Sequence, residues 1–276
     1  MSLLPPGARP TVLDLPSGPL AAHVQEPSGT ARATVLLVPG FTGSKEDFRL
    51  LLPPLAEAGL RAVAVDQRGQ YESPGPDDDA AYAVEALGAH LVEAARSLEA
   101  PVHLVGHSFG GLVSRAAVLQ DPKAFASLVL MSSGPGALGG TRADMMQFLR
   151  PLVEQGGLPA VRAAVEAVEA EDPRAQAFSQ DFRDFLRARF LASSQTGLLA
   201  MGDALLGEPD RVADLAAAGV RTLVLHGADD DAWTPASQAD MAVRLGAEHV
   251  VVAGAAHSPA VENAPDTLAA LLVFWG

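Results

Sequence analysis

The chain has no cysteine among its 276 residues. That excludes disulfides, thiolate-bound zinc, iron–sulfur clusters and a cysteine nucleophile together. Positive charge is scarce: 19 Lys+Arg face 33 Asp+Glu, a net charge of −14. So acidic a chain repels phosphate backbones, which disfavours nucleic-acid binding. Aromatic residues make up only 5%, so the core must rest on Ala, Val and Leu. No apolar run approaches the ~20 residues of a membrane span. The opening MSLLPPGARP has neither a cationic segment nor a continuous apolar one, as a secretory signal would require. A soluble cytoplasmic protein is the expectation.

What is present is ordinary globular composition, 49% hydrophobic and 19% charged. At about 150 residues per domain, this length suggests just under two domains. The runs Thr11–Leu15 and Leu20–Val24 flank the turn signal Pro16-Ser17-Gly18 and read as a hairpin. Six short apolar runs follow: Ala33–Val38, Arg61–Val65, Val102–Val105, Ser127–Met131, Thr222–Leu225 and His249–Val252. None alternates polar with apolar residues, the pattern of strands buried on both faces of a parallel sheet. Helical patterns separate them at Lys45–Ala58, Ala80–Glu99, Gly110–Gln120, Pro235–Leu245 and Pro265–Phe274. The class is therefore α/β, a mostly parallel sheet flanked by helices.

The alternation stops between Ser133 and Val220, where several helices are expected and no strand. Residues 137–214 are read as an all-helical insertion, with 1–136 and 215–276 forming the core. Phe178, Phe182, Phe185, Leu186 and Phe190 recur there at three- and four-residue spacing. That stripe predicts an amphipathic helix packed on something apolar, part of it lining a pocket. Asp77-Asp78-Asp79 reads as a solvated loop and helix start, not a metal site.

The chemistry centres on Gly106-His107-Ser108-Phe109-Gly110-Gly111, which follows a strand run and opens a helix. This is the strand–turn–helix setting of a G-x-S-x-G nucleophile elbow. Small residues two before and two after Ser108 allow a sharp turn, which strains the serine backbone and exposes its hydroxyl. The helix N-terminus beside it favours a developing anion.

On these residues the chain resembles the α/β-hydrolase superfamily from Ala33 to the C-terminus, and the insertion falls where that superfamily places a helical cap. The resemblance implies the order nucleophile, acid, histidine. Among seven histidines, His257 in the loop after the last strand matches the general base. His226 is its rival, and His107 is expected to point away from Ser108. The acid falls within Asp229-Asp230-Asp231; the family spacing favours Asp230 and leaves the other two open. The backbone amides of Phe41 and Phe109 would form the oxyanion hole. Pro39-Gly40 stands where the family has His-Gly, a departure that bears on how the loop is braced. Asp66-Gln67-Arg68-Gly69-Gln70-Tyr71-Glu72-Ser73 resembles a structural family segment, with Tyr71 replacing its second glycine.

A serine at the elbow implies acyl transfer to water. The expected substrate is a small or medium, fairly apolar carboxylic ester, in a pocket drawing on Phe178, Phe182, Met131, Met145 and Trp233. The same triad also suits an aminopeptidase, a thioesterase, a C–C bond hydrolase or a perhydrolase. A binding protein without catalysis is the reading from another class. No metal or organic cofactor is implied, and oligomeric state stays open.

Overall fold

The computed structural model describes residues 3–171 and 178–276. Eight strands make one sheet: β1 Arg9–Leu13, β2 Leu20–Gln25, β3 Ala33–Val38, β4 Leu60–Val65, β5 Val102–His107, β6 Ser127–Met131, β7 Thr222–Gly227 and β8 Glu248–Val252. Their order is β1-β2-β4-β3-β5-β6-β7-β8. β1 and β2 pair antiparallel as the predicted hairpin, and β2 joins β4 antiparallel. Every other pairing is parallel. The helices are α1 Leu52–Glu57, α2 Val84–Ser97, α3 Phe109–Gln120, α4 Gly140–Glu169, α5 Gln180–Ala192, α6 Gln195–Gly207, α7 Val212–Ala218, α8 Pro235–Leu245, α9 Pro259–Glu262 and α10 Ala264–Trp275. No helix among the described residues is long and apolar enough to cross a membrane.

Alternation along each strand feeds two cores. In β3, Leu36 and Val38 join α2 and α3 on one face, while Val35 and Leu37 join α1 and α10 on the other. Both faces are covered, which explains the unbroken apolar runs. The run His249–Val252 departs from that expectation. β8 is the edge strand, and Val251 is 49% exposed. The helical pattern Lys45–Ala58 is also interrupted. It splits into a 3₁₀ turn at Lys45–Phe48 and α1, whose first turn carries Pro53 and Pro54. Proline lacks the N–H to continue a helix from behind.

The link from β6 to its neighbour β7 holds the helical insertion. α4 is broken at Gly157, which sits at φ 67°. Val153, Leu158 and Val161 of α4 meet Leu198 of α6 in a small core of their own. α7 crosses the expected boundary at residue 214; its Val212 and Leu215 lie in the core that also holds α3 and Met241 of α8. In the acidic run at residues 77–79, Asp78 accepts from the Ala80 amide and starts a 3₁₀ turn, while Asp77 accepts from Thr196 Oγ1 of α6.

A buried ion cluster ties the loops after β3 and β4 together. Lys45, 1% exposed, donates to Asp66 at 2.9 Å and pairs with Glu72 and Glu46 at 2.6 and 3.1 Å. Burial pushes the Asp66 carboxyl up to about 6 despite the pull of Lys45. Removing one partner of a buried pair costs about 3–5 kcal/mol, so Lys45→Met should lower Tm at pH 8. Burial already makes folded Asp66 bind its proton more tightly than the unfolded chain does, and without the cation it binds it more tightly still. That contribution is present at low pH and lost as pH rises through the folded value. The stability deficit of Lys45→Met against the wild type should therefore shrink from pH 8 to pH 5. A deficit that stays constant across that range would contradict the assignment.

Candidate active site

The elbow forms as its sequence predicts. Ser108 sits between β5 and α3 at φ 54°, ψ −122°, a strained conformation for a residue with a side chain. A Cβ on Gly106 would collide with the Gly110 carbonyl across the turn. A Cβ on Gly110 would instead strike the Pro39 and Val38 carbonyls. The second glycine thus lets the loop after β3 approach, in addition to permitting the turn.

Three loops at the C-terminal edge of the sheet then converge. Ser108 Oγ lies 3.0 Å from His257 Nε2, and His257 Nδ1 lies 2.9 Å from Asp230 Oδ1. Because a carboxylate only accepts, Nδ1 carries the proton and Nε2 is free to take one from Ser108. Asp230 Oδ1 also accepts from the Ala232 amide, and Oδ2 from Gln238 Nε2 at 3.0 Å. Burial alone would raise the Asp230 carboxyl. The His257 contact and these further donors hold it below its ordinary value. It therefore stays ionised and able to hold an imidazolium.

The run of three aspartates separates cleanly. Asp230 alone of the three is buried, at 4% exposure. Asp231 points outward to Arg142 of α4 at 2.6 Å, which lowers its pKa, and Asp229 is exposed. His226 is not beside Ser108. It is fully buried in β7, with Nε2 2.9 Å from His249 Nε2. Phe109 follows Ser108 as the first residue of α3, and Phe41 follows Gly40, where an added Cβ would come within 2.9 Å of the Ser108 Cβ. Neither amide has a protein acceptor among the described residues.

Ser108, His107 and His257 open into a cavity of about 1200 Å³. Phe178, Phe182 and Met145 line it, together with Phe41, Met146, Leu186 and Leu205. A second chamber of about 650 Å³ lies within the cap; Phe41, Met146 and Leu186 border both. Phe178, Phe182, Leu186 and Phe190 of the stripe are therefore cavity wall, while Phe185 packs edge-on against Tyr71. No residue of α5 is fully buried, and Phe178 lies before its first turn. Two pocket expectations fail. Met131 is wholly buried on the α1–α10 side of the sheet, because neighbouring strand residues point to opposite faces. Trp233 does not line the cavity either. It packs against Gly134, and its indole N–H donates to the Gly136 and Ala137 carbonyls, bracing the start of the insertion.

A family sequence model described as "Alpha/beta hydrolase family" matches residues 35–271. The chain belongs to the α/β-hydrolase family. The chain is 41% identical over 100 residues to a putative carbamate hydrolase RutD of Variovorax paradoxus, covering 36% of this chain and 37% of that one. It is 31% identical to the polyketide synthase ThaQ of Burkholderia thailandensis, across 94% of this chain but only 12% of that protein. The chain thus spans well under half the length of either relative. A thermophilic esterase from Thermogutta terrifontis shares the fold, with a TM-score of 0.77 at 21% identity over 97% of this chain and 98% of that one.

Two supports of the site were not legible in the sequence of this family member. His107 is one: its Nε2–H donates to the His257 carbonyl at 2.7 Å, with the rings 5.0 Å apart. Burial and the neighbouring His257 ring hold His107 below its ordinary value, hence neutral. Gln238, wholly buried on α8, holds Asp230 from eight residues away, a spacing no motif marks. Single Asp→Asn changes test the arrangement. Asp230→Asn should lower kcat on an activated ester by about 10⁴, while Asp229→Asn and Asp231→Asn stay within about tenfold of wild type. Equal losses at all three would overturn the choice of Asp230.

Proposed function

We propose that this protein is a serine hydrolase of small or medium, fairly apolar carboxylic esters, acting through an acyl-enzyme. The observation that carries the reading is the continuous line Ser108–His257–Asp230 at the floor of an apolar cavity. Ser108 Oγ attacks the ester carbonyl as His257 Nε2 takes its proton. Asp230 keeps the imidazole in the required tautomer and stabilises the cation that forms. The Phe41 and Phe109 amides receive the oxyanion. His257 then protonates the departing alcohol, and a water activated by the same base releases the acid.

The cavity's chemistry supports a neutral, apolar substrate. Of the three arginines on its wall, Arg142 pairs with Asp231 and Arg189 with Asp47, each at 2.6 Å, while Arg49 lies over the Phe182 ring. Apolar side chains supply most of the remaining lining, and the adjoining chamber gives room for a longer acyl or alcohol chain. A carbamate is the second reading, favoured by the likeness to the Variovorax protein. The same attack on a carbonyl would serve it.

A set of p-nitrophenyl esters of graded chain length, assayed beside an aryl carbamate, tests both. The esters should turn over faster, with kcat/KM rising from acetate towards medium chains. Preference for the carbamate would replace the first reading with the second. A fluorophosphonate probe should label Ser108, and Ser108→Ala should lower kcat by about 10⁴ or more. Wild-type turnover in that variant would sink the nucleophile assignment.

A further inference from the structure

The departure at Pro39-Gly40 raises the question of what aims the Phe41 amide. Two buried glutamines answer it. Gln70, 1% exposed, donates from Nε2 to the Gly40 carbonyl at 2.8 Å. Its Oε1 accepts the Gln67 backbone N–H at 3.1 Å, which fixes the orientation of the amide. Gln67, 2% exposed, donates from its own Nε2 to the Pro39 carbonyl at 2.8 Å. Its Oε1 is buried without a partner. That side chain is therefore held in place by its donor end alone, an arrangement that costs desolvation and asks for a reason.

The reason lies in peptide geometry. The Gly40 C=O and the Phe41 N–H belong to one planar trans unit and point in opposite directions. A donor clamped on the Gly40 oxygen therefore sets the direction of the Phe41 N–H. The Gly43 amide binds the same oxygen at 3.0 Å, so the carbonyl is held from two sides. The unit also lies hard against the nucleophile: a Cβ on Gly40 would come within 2.9 Å of the Ser108 Cβ. At that range a small rotation of the peptide carries the amide away from any oxyanion on Ser108.

We propose that Gln70, backed by Gln67, is the positioning residue of the oxyanion hole in this chain. The inference rests on the acyl-enzyme reading above. It gives a segment otherwise regarded as structural a direct effect on the reaction: the loop after β4 aims a donor on the loop after β3. The effect is felt only where negative charge develops, because an aimed N–H favours the tetrahedral state over the flat ester.

Gln70→Met is close in shape and removes both polar contacts. Active sites are titrated with a fluorophosphonate, so that turnover is counted per reactive Ser108. On p-nitrophenyl butyrate, kcat per titrated site should fall about 10- to 100-fold, below the full loss of an oxyanion donor, with KM within about threefold. The Ki of a trifluoromethyl ketone, which places an oxyanion in the hole, should rise by the same factor. Gln67→Met should follow the same pattern with a smaller change, since its carbonyl partner lies one peptide earlier. It carries the test if Gln70→Met is not recovered folded. Unchanged kcat per site and Ki in whichever variant carries the test, or a loss confined to the titrated fraction, would overturn the positioning role. Failure of the probe to label Ser108 in the wild type would instead strike the acyl-enzyme reading itself.

Discussion

The closeness of backbone to backbone around Ser108 governs the catalytic edge. The serine is held in a conformation that side chains avoid, and the surrounding strands must approach to van der Waals range to hold it there. β5 supplies the turn, β3 supplies the loop that presses on it, and the ends of β7 and β8 deliver Asp230 and His257 from the same side. A parallel sheet makes this possible, because its carboxyl ends open onto one edge. The rigid double core beneath keeps the spacing fixed, so the site needs little adjustment before chemistry.

The cap is a different kind of structure. Among the described residues its own core is small, four buried side chains, and many of its large apolar side chains face cavities or solvent. It is tied to the body below by apolar and polar contacts alike: Met201 and Leu205 of α6 reach the core that holds α3, Glu208 pairs with the buried Arg115 at 2.7 Å, and Arg142 and Arg189 pair with Asp231 and Asp47. Of these, the exposed Arg142–Asp231 pair contributes little and weakens with salt. The sheet holds Ser108, His257 and Asp230 together, while the inserted helices wall the cavity above them.

Much of this was legible in the sequence, for physical reasons. Strands buried on both faces must be apolar throughout, so Ala33–Val38 and Ser127–Met131 match their observed limits. The elbow announces itself because few residue types tolerate the turn around Ser108. Asp230 was separable from its neighbours only through chain-order spacing, and burial explains the result. Face parity was the harder problem. Met131 ends a strand beside the site yet points to the far core, since one residue decides the side. Contacts between distant loops leave no periodic trace, which is why His107, Gln238 and the Gln67–Gln70 pair appear only in three dimensions.

The burial of Lys45 has a practical corollary. The chain has only two lysines, and the other, Lys123, is exposed in the short turn between α3 and β6. That turn lies at the opposite edge of the sheet from Ser108, where β6 begins. Among lysine side chains, modification is therefore confined to one accessible position, at the edge of the sheet away from Ser108, where a label leaves the cavity untouched.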